Sequence, residues 1–406
     1  MCIVTHLGVG TSWRAFVGFA AFGAFWGVWG ASVPRVQDQA GIGDGALGFA
    51  LLFVGAGALP AMLLTGRALD RWGPGVAGAA LAALGGAGVV VAFTAANLAG
   101  LCAGLAMVGA ASGAADVGIN AVAGVAERAA GKAVITRAHG VFSGLVVLAS
   151  LASGAASPLP LVVPFVAAGG ACVAAGTCLW AFPGDFVVRR EAAAPLGRHR
   201  IVPLLLIGVL GALAFAGENA HQSWSAVFAD DELHAGGLGA VAPAVFAGTV
   251  AITRFSAGGA RAVRGILLAG AAGAAGGALV IAVASTPAVA GAGLATAAAG
   301  TAVLFPTLLR LVARNVGDDH RGRATSVVTT VSYLGFLAGP VYVGLWAEAV
   351  GLRGAMVAVA ALAVVLFALT PLLLRLSGFA GGERGGQARA GVFSSASPGR
   401  WSGTKR

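Results

Sequence analysis

Gly66-Arg67-Ala68-Leu69-Asp70-Arg71-Trp72-Gly73 is a short charged stretch set between two long apolar runs, 46–66 and 75–95. Each run has the roughly 20 mainly apolar residues that a helix needs to cross a bilayer. The octapeptide therefore reads as a loop joining two membrane spans. The rest of the chain extends that pattern in both directions.

Of the 406 residues, 58% are hydrophobic and only 10% charged, and the mean hydropathy is +0.90. A soluble domain carries roughly 25% charged residues. A chain this apolar cannot cover a water-facing surface, so lipid is its solvent. Breaks at Pro, Gly and charge clusters divide it into twelve expected spans: 13–33, 46–66, 75–95, 98–120, 138–157, 161–182, 202–229, 238–257, 265–285, 288–309, 324–347 and 354–376. The 66 glycines suit close approach of membrane helices, which associate without a hydrophobic drive. Abundant Ala and Gly with almost no Lys fits a GC-rich bacterial coding sequence. The net charge of +10 sits in the short gaps between spans, so it marks loops and not a nucleic-acid partner. Cys102, Cys172 and Cys178 lie inside apolar spans without metal-ligand spacing, as small buried hydrophobes do. Met1 to Ser12 is short and not strongly basic, so no cleavable signal peptide is expected.

Loop charge sets the orientation. With the first tail cytoplasmic, that side collects Arg67 and Arg71; Arg128, Lys132 and Arg137; Arg189, Arg190, Arg198 and Arg200; Arg261 and Arg264; Arg310, Arg314, Arg321 and Arg323; and Arg375 onward. The other side has Arg35, Arg353 and the acidic run Asp230-Asp231-Glu232. Both termini are thus expected in the cytoplasm of a bacterial inner membrane. Trp13, Trp180 and Trp346 fall near span ends, where interfacial aromatics belong. A polar stretch, 183–201, reads as a linker between a first bundle (1–182) and a second (202–376), followed by a Gly-, Ser- and Arg-rich tail (377–406) expected to be disordered. The halves echo each other: Gly45-Ala-Leu-Gly48 and Gly237-Leu-Gly239 open corresponding spans. That is the mark of a parallel repeat, common in transporters.

In position, spacing and predicted side, the octapeptide resembles the Gly-x-x-x-Asp-Arg-x-Gly signature of the major facilitator superfamily. The resemblance covers the chain except its tail. It extends to Asp116-Val-Gly-Ile-Asn120, His139-Gly-Val-Phe-Ser143 and Gly217-Glu218 through Trp224-Ser225, which look like a bacterial branch of mostly unassigned substrate loosely akin to sugar permeases. It implies an all-α membrane protein of twelve transmembrane helices in two six-helix bundles. It also implies a gate in which Gly66, Asp70, Arg71 and Gly73 stabilise one state. The second-half equivalent, Arg254-Phe-Ser-Ala-Gly258 with Arg261, is degenerate and lacks the acid. Gly339-Pro340 resembles the Gly-Pro motif that antiporters carry in span five, here moved to span eleven, and is grouped with the gate.

An acid at the centre of a membrane helix costs about 2.5–3.5 kcal/mol on insertion scales, so it usually has a reason. Asp116 shares a face of span four with Ser112 and Asn120, and Glu218 shares one of span seven with His221, Gln222 and Ser225. The resemblance places spans one, four, seven and ten around a central cavity. Glu218, Asp116, Asn120, His221, Gln222 and Trp224 are therefore candidates for a proton-coupling and substrate site. Phe25 and Trp29, from the aromatic stripe of span one, would stack a flat substrate. The alternatives are interhelical hydrogen bonds for the acids and plain packing for the aromatics. His139 is expected to pair with Asp116.

No nucleotide-binding Gly-rich loop with Lys and no His-x-x-x-x-Asp motif is present, which argues against a pump or a membrane enzyme. The expectation is a monomeric, proton-coupled secondary transporter of a small molecule, in contact with lipid and without cofactor or metal. A non-transporting receptor or scaffold on the same fold is the rival.

Overall fold

In hydrocarbon every backbone polar group must be satisfied internally, which leaves long apolar runs one open-chain solution, the helix. The computed structural model describes residues 4–181, 198–256 and 262–379, and no strand occurs among them. In chain order the helices are α1 (Val4–Ala40), α2 (Asp44–Trp72), α3 (Gly75–Thr94), α4 (Leu98–Ala130), α5 (Val134–Ala155) and α6 (Val162–Ala181), then α7 (Arg198–Asp231), α8 (Val241–Ser256), α9 (Val263–Ala282), α10 (Pro287–Ala302), α11 (Leu304–Asn315) and α12 (Asp318–Leu376). A 3-10 turn, Gly236–Ala240, leads into α8. The expected linker and tail fall for the most part outside the described residues.

Eleven helical segments among the described residues are long and apolar enough to cross a membrane, against the twelve expected. The difference lies in α12, where helical pairing runs on through both of the last expected spans. Gly351 interrupts it with φ 79° and ψ 167°, a conformation that suits glycine alone. Tyr342 Oη donates to the Ala358 carbonyl at 3.0 Å. Sixteen residues of straight helix would separate these groups by about 24 Å, so the chain reverses at Gly351. α10 and α11 together form one apolar segment, broken at Val303.

α1 packs on α5 and α6, α2 on α4, and α3 on α4 and α6; α7 packs on α12, α9 on α10 and α12, and α8 on α10. Between these groups run α2 against α12, α5 against α8, and α1 against α7 and α8. The largest buried apolar cluster crosses that divide, from Phe19, Phe25 and Leu84 to Trp224, Phe228 and Leu294. A second cluster, around Ile207, Leu267, Leu308 and Val328, belongs to α7, α9, α11 and α12 alone. We call the end with the α2–α3 loop the basic end, and that with the α1–α2 loop and Asp230-Asp231 the acidic end.

Candidate functional site

Glu218 lies near the middle of α7, far from either loop. Its Oε1 accepts from Arg254 Nη2 of α8 at 2.9 Å. Arg254 is held from a third direction: its Nε donates to the Ala302 carbonyl at 3.3 Å. That carbonyl is free for a local reason. Pro306 follows four residues later and has no N–H to donate back, and the helix breaks there into α10 and α11. A discontinuous helix with freed carbonyls near mid-membrane is how many transporters build a site. Glu218 Oε2 is buried without a hydrogen-bond partner among the described residues. Arg254 is also close enough to act electrostatically on His139 of α5.

Arg254 read as a remnant of a gate loop, yet its side chain turns into the bundle. The signal was available: an Arg inside the expected span 238–257 is as costly as an acid and needs a partner. Gly258 and Arg261 lie outside the described residues. The expected pairing of His139 with Asp116 is not formed. The His139 ring stands edge-on to Phe19, centroids 4.8 Å apart. Asp116 accepts at Oδ1 from Asn120 Nδ2 at 3.0 Å, and Asn120 also donates to the Asp116 carbonyl.

The other candidates separate by helix face. Trp224 is fully buried, and its Nε1 donates to the Pro340 carbonyl at 3.1 Å. One turn away, Asn219 Nδ2 donates to the Phe336 carbonyl at 2.6 Å. Phe336 precedes Pro340 by four residues, so the proline leaves its carbonyl unpaired and α7 supplies the missing donor. Gly339 allows this contact, because a β-carbon there would collide with the Ala216 carbonyl. Trp224, Gly339 and Pro340 thus belong to the α7–α12 packing. His221 is buried, whereas Gln222 is exposed. Phe25 and Trp29 are buried too: Phe25 packs over Gly88 of α3, and Trp29 lies edge-on to Phe165 of α6. Both belong to the buried apolar cluster between the helices.

The stretch expected as a loop is helical as far as Trp72: Gly66, Asp70 and Arg71 all lie within α2, with Asp70 and Arg71 exposed. Arg71 stacks over the Trp72 ring at 5.6 Å. Gly73 ends α2 at φ 70°, its N–H returning to the Leu69 carbonyl, so the tight turn requires the glycine.

At the acidic end the two groups of helices are in close contact. A β-carbon on Gly48 of α2 would lie 2.9 Å from Gly344 Cα of α12. Glu348 Oε2 accepts from the Gly45 N–H at 3.2 Å, and Ser150 Oγ of α5 donates to the Ala240 carbonyl at 2.9 Å. Towards the basic end, α5 and α8 meet where Phe255 covers Gly140.

The family model described as Major Facilitator Superfamily matches residues 259–399. An uncharacterized MFS-type transporter of Yersinia pestis is 30% identical over 354 residues, 83% of this chain and 88% of that protein. The membrane protein MosC of Rhizobium meliloti is 28% identical over 353 residues, 82% of this chain and 83% of its own length. A crystal structure of a mutant of the nucleoside transporter NupG superposes with a TM-score of 0.73 at 13% identity, over 89% of this chain and 99% of that one. Extent and identity together place the chain plainly: it belongs to the major facilitator superfamily of membrane transporters.

Proposed function

We propose that this protein is a secondary active transporter of a small molecule, working by alternating access and coupled to protons through Glu218 and Arg254. The single observation that carries the reading is the ion pair between α7 and α8, anchored on the broken helix α10–α11. Protonating Glu218 removes its charge, and the pair then loses most of its attraction. Arg254 is released from α7 while still facing α5, so a proton changes the balance of contacts across the divide. A cycle needs that link between occupancy and the opposite gates.

The reversal at Gly351 supports twelve spans: α12 contributes two, and α10 with α11 one. Two six-helix bundles, 1–182 and 202–376, then rock about the central site. The contacts Gly48–Gly344 and Ser150–Ala240 support a state closed at the acidic end. The loop charges support placing the basic end and both termini in the cytoplasm. Asp70, Arg71 and Gly73 act there as the gate, and the protein works as a monomer in the bacterial inner membrane. The cargo is a drug or metabolite exported, or a sugar-like solute taken up.

The test is a thermal-shift screen of purified protein with small molecules, followed by flux of each hit in proteoliposomes with and without an imposed pH gradient. Gradient-driven flux in the wild type that is lost in Glu218→Gln is expected. Flux that ignores the gradient removes proton coupling. Absence of flux for every stabilising compound favours a receptor or scaffold.

A further inference from the structure

α7, α8, α9, α10 and the end of α12 beyond Gly351 enclose a second feature, a cavity of about 260 Å³ whose lining includes neither Glu218 nor Arg254. Its walls are apolar, formed by residues such as Phe228, Val245, Leu294 and Met356. Two polar side chains interrupt them, His221 and Ser225. They stand one helical turn apart on α7 and so lie one above the other on the same face. Both are more than nine-tenths buried, His221 at 2% and Ser225 at 9% exposure. His221 Nε2 and Ser225 Oγ have no hydrogen-bond partner among the described residues. Polar atoms buried in an apolar wall are costly unless something bonds to them.

The rest of the cavity defines what that something is. No Asp, Glu, Lys or Arg lines it, so a charged guest would be stripped of water without compensation. An apolar cavity of roughly 150 Å³ already holds benzene, so this one accommodates a body of about two fused rings. A hydroxyl both donates and accepts, and satisfies the Ser225 and His221 atoms whichever ring nitrogen of His221 carries the proton. Two apolar lining residues are open to the outside at the acidic end: Leu238 is 67% and Val241 39% exposed. Such a mouth admits molecules from the lipid more readily than from water.

We propose that this cavity is a binding site for a neutral, membrane-partitioning alcohol or phenol. Its compact apolar body lies among α8, α9 and α10, and its hydroxyl is held by His221 and Ser225. The site stands independently of proton coupling at Glu218.

Thermal unfolding of the purified full-length protein in detergent tests this, with 2-naphthol as probe and naphthalene as its hydroxyl-free counterpart. Gly291 provides a plug. It lines the cavity, and a β-carbon on it meets no atom within 4 Å, so Gly291→Leu fills the space without a clash at its first atom. Ala242 lines the cavity from α8, and Ala242→Leu is the second plug. The expected result is a rise in Tm of about 2 °C or more with 2-naphthol in the wild type, a smaller one with naphthalene, and none in either plugged variant. In the double variant His221→Leu, Ser225→Ala the two probes should become equivalent. No shift in the wild type, equal shifts for the two probes there, or an undiminished shift in both plugged variants would each overturn the proposal. Since plugged and wild-type proteins share the same micelles, partition of the probe into detergent cancels.

Discussion

Arg254 Nη2 meets Glu218 Oε1 at 2.9 Å, joining α8 to α7 across 36 residues of sequence. Glu218 is the more enclosed partner, its side chain 15% exposed against 44% for Arg254. Removing the arginine therefore strands the acid in the bundle, whereas removing the acid leaves a cation that water can partly reach. We predict that Arg254→Ala destabilises by about 1–3 kcal/mol, between the values for exposed and buried pairs. Glu218→Gln combined with Arg254→Ala should recover part of that loss. Denaturant unfolding of the single and double variants in one detergent measures the coupling, and strict additivity would show that the pair contributes nothing.

Glu218→Gln keeps the shape of the side chain and stands in for the protonated acid, with one acceptor and one donor group, but cannot gain or lose a proton. We predict insertion and yield like the wild type, with transport of an identified substrate losing its dependence on the pH gradient. Wild-type pH dependence in this variant, measured in proteoliposomes, would place the coupling group elsewhere.

The Asn219 bond to the Phe336 carbonyl repairs a gap that Pro340 creates. We predict that Asn219→Leu costs about 1–2 kcal/mol, the scale of a hydrogen bond between membrane helices. Pro340→Ala restores an N–H to Phe336. In that background the same Asn219→Leu change should cost clearly less, as thermal unfolding would register.

At the acidic end, Gly48 and Gly344 let the backbones of α2 and α12 touch. Backbone cannot yield as a flexible side chain can, so Gly48→Val must push the helices apart. We predict a longer distance between spin labels placed on the acidic ends of α2 and α12. An unchanged distance would mean that this contact does not hold the end closed.

The membrane class was legible because hydropathy and loop charge are summed along the chain and need no partner. So was the turn at Gly73, since its cause lies within a few residues. Asp116 and Glu218 stood out because an acid in lipid is costly wherever it sits. Arg254 was misplaced because its depth depends on which way the side chain turns at the end of α8. Trp224, Phe25 and Trp29 were assigned to a cavity because periodicity shows that residues share a face, and not which neighbour that face meets.

Each proline can be read as freeing a carbonyl four residues earlier, at Ala302 and Phe336. Only the packed bundle decides that Arg254 takes the first and Asn219 the second, from 48 and 117 residues away. The octapeptide differs: its residues mark the charged end of α2 and a family, because charge and turn propensity are local properties. The juxtaposition of α7, α8 and the break in α10–α11 comes from helices packed in three dimensions, where contacts are set by shape and not by distance along the chain.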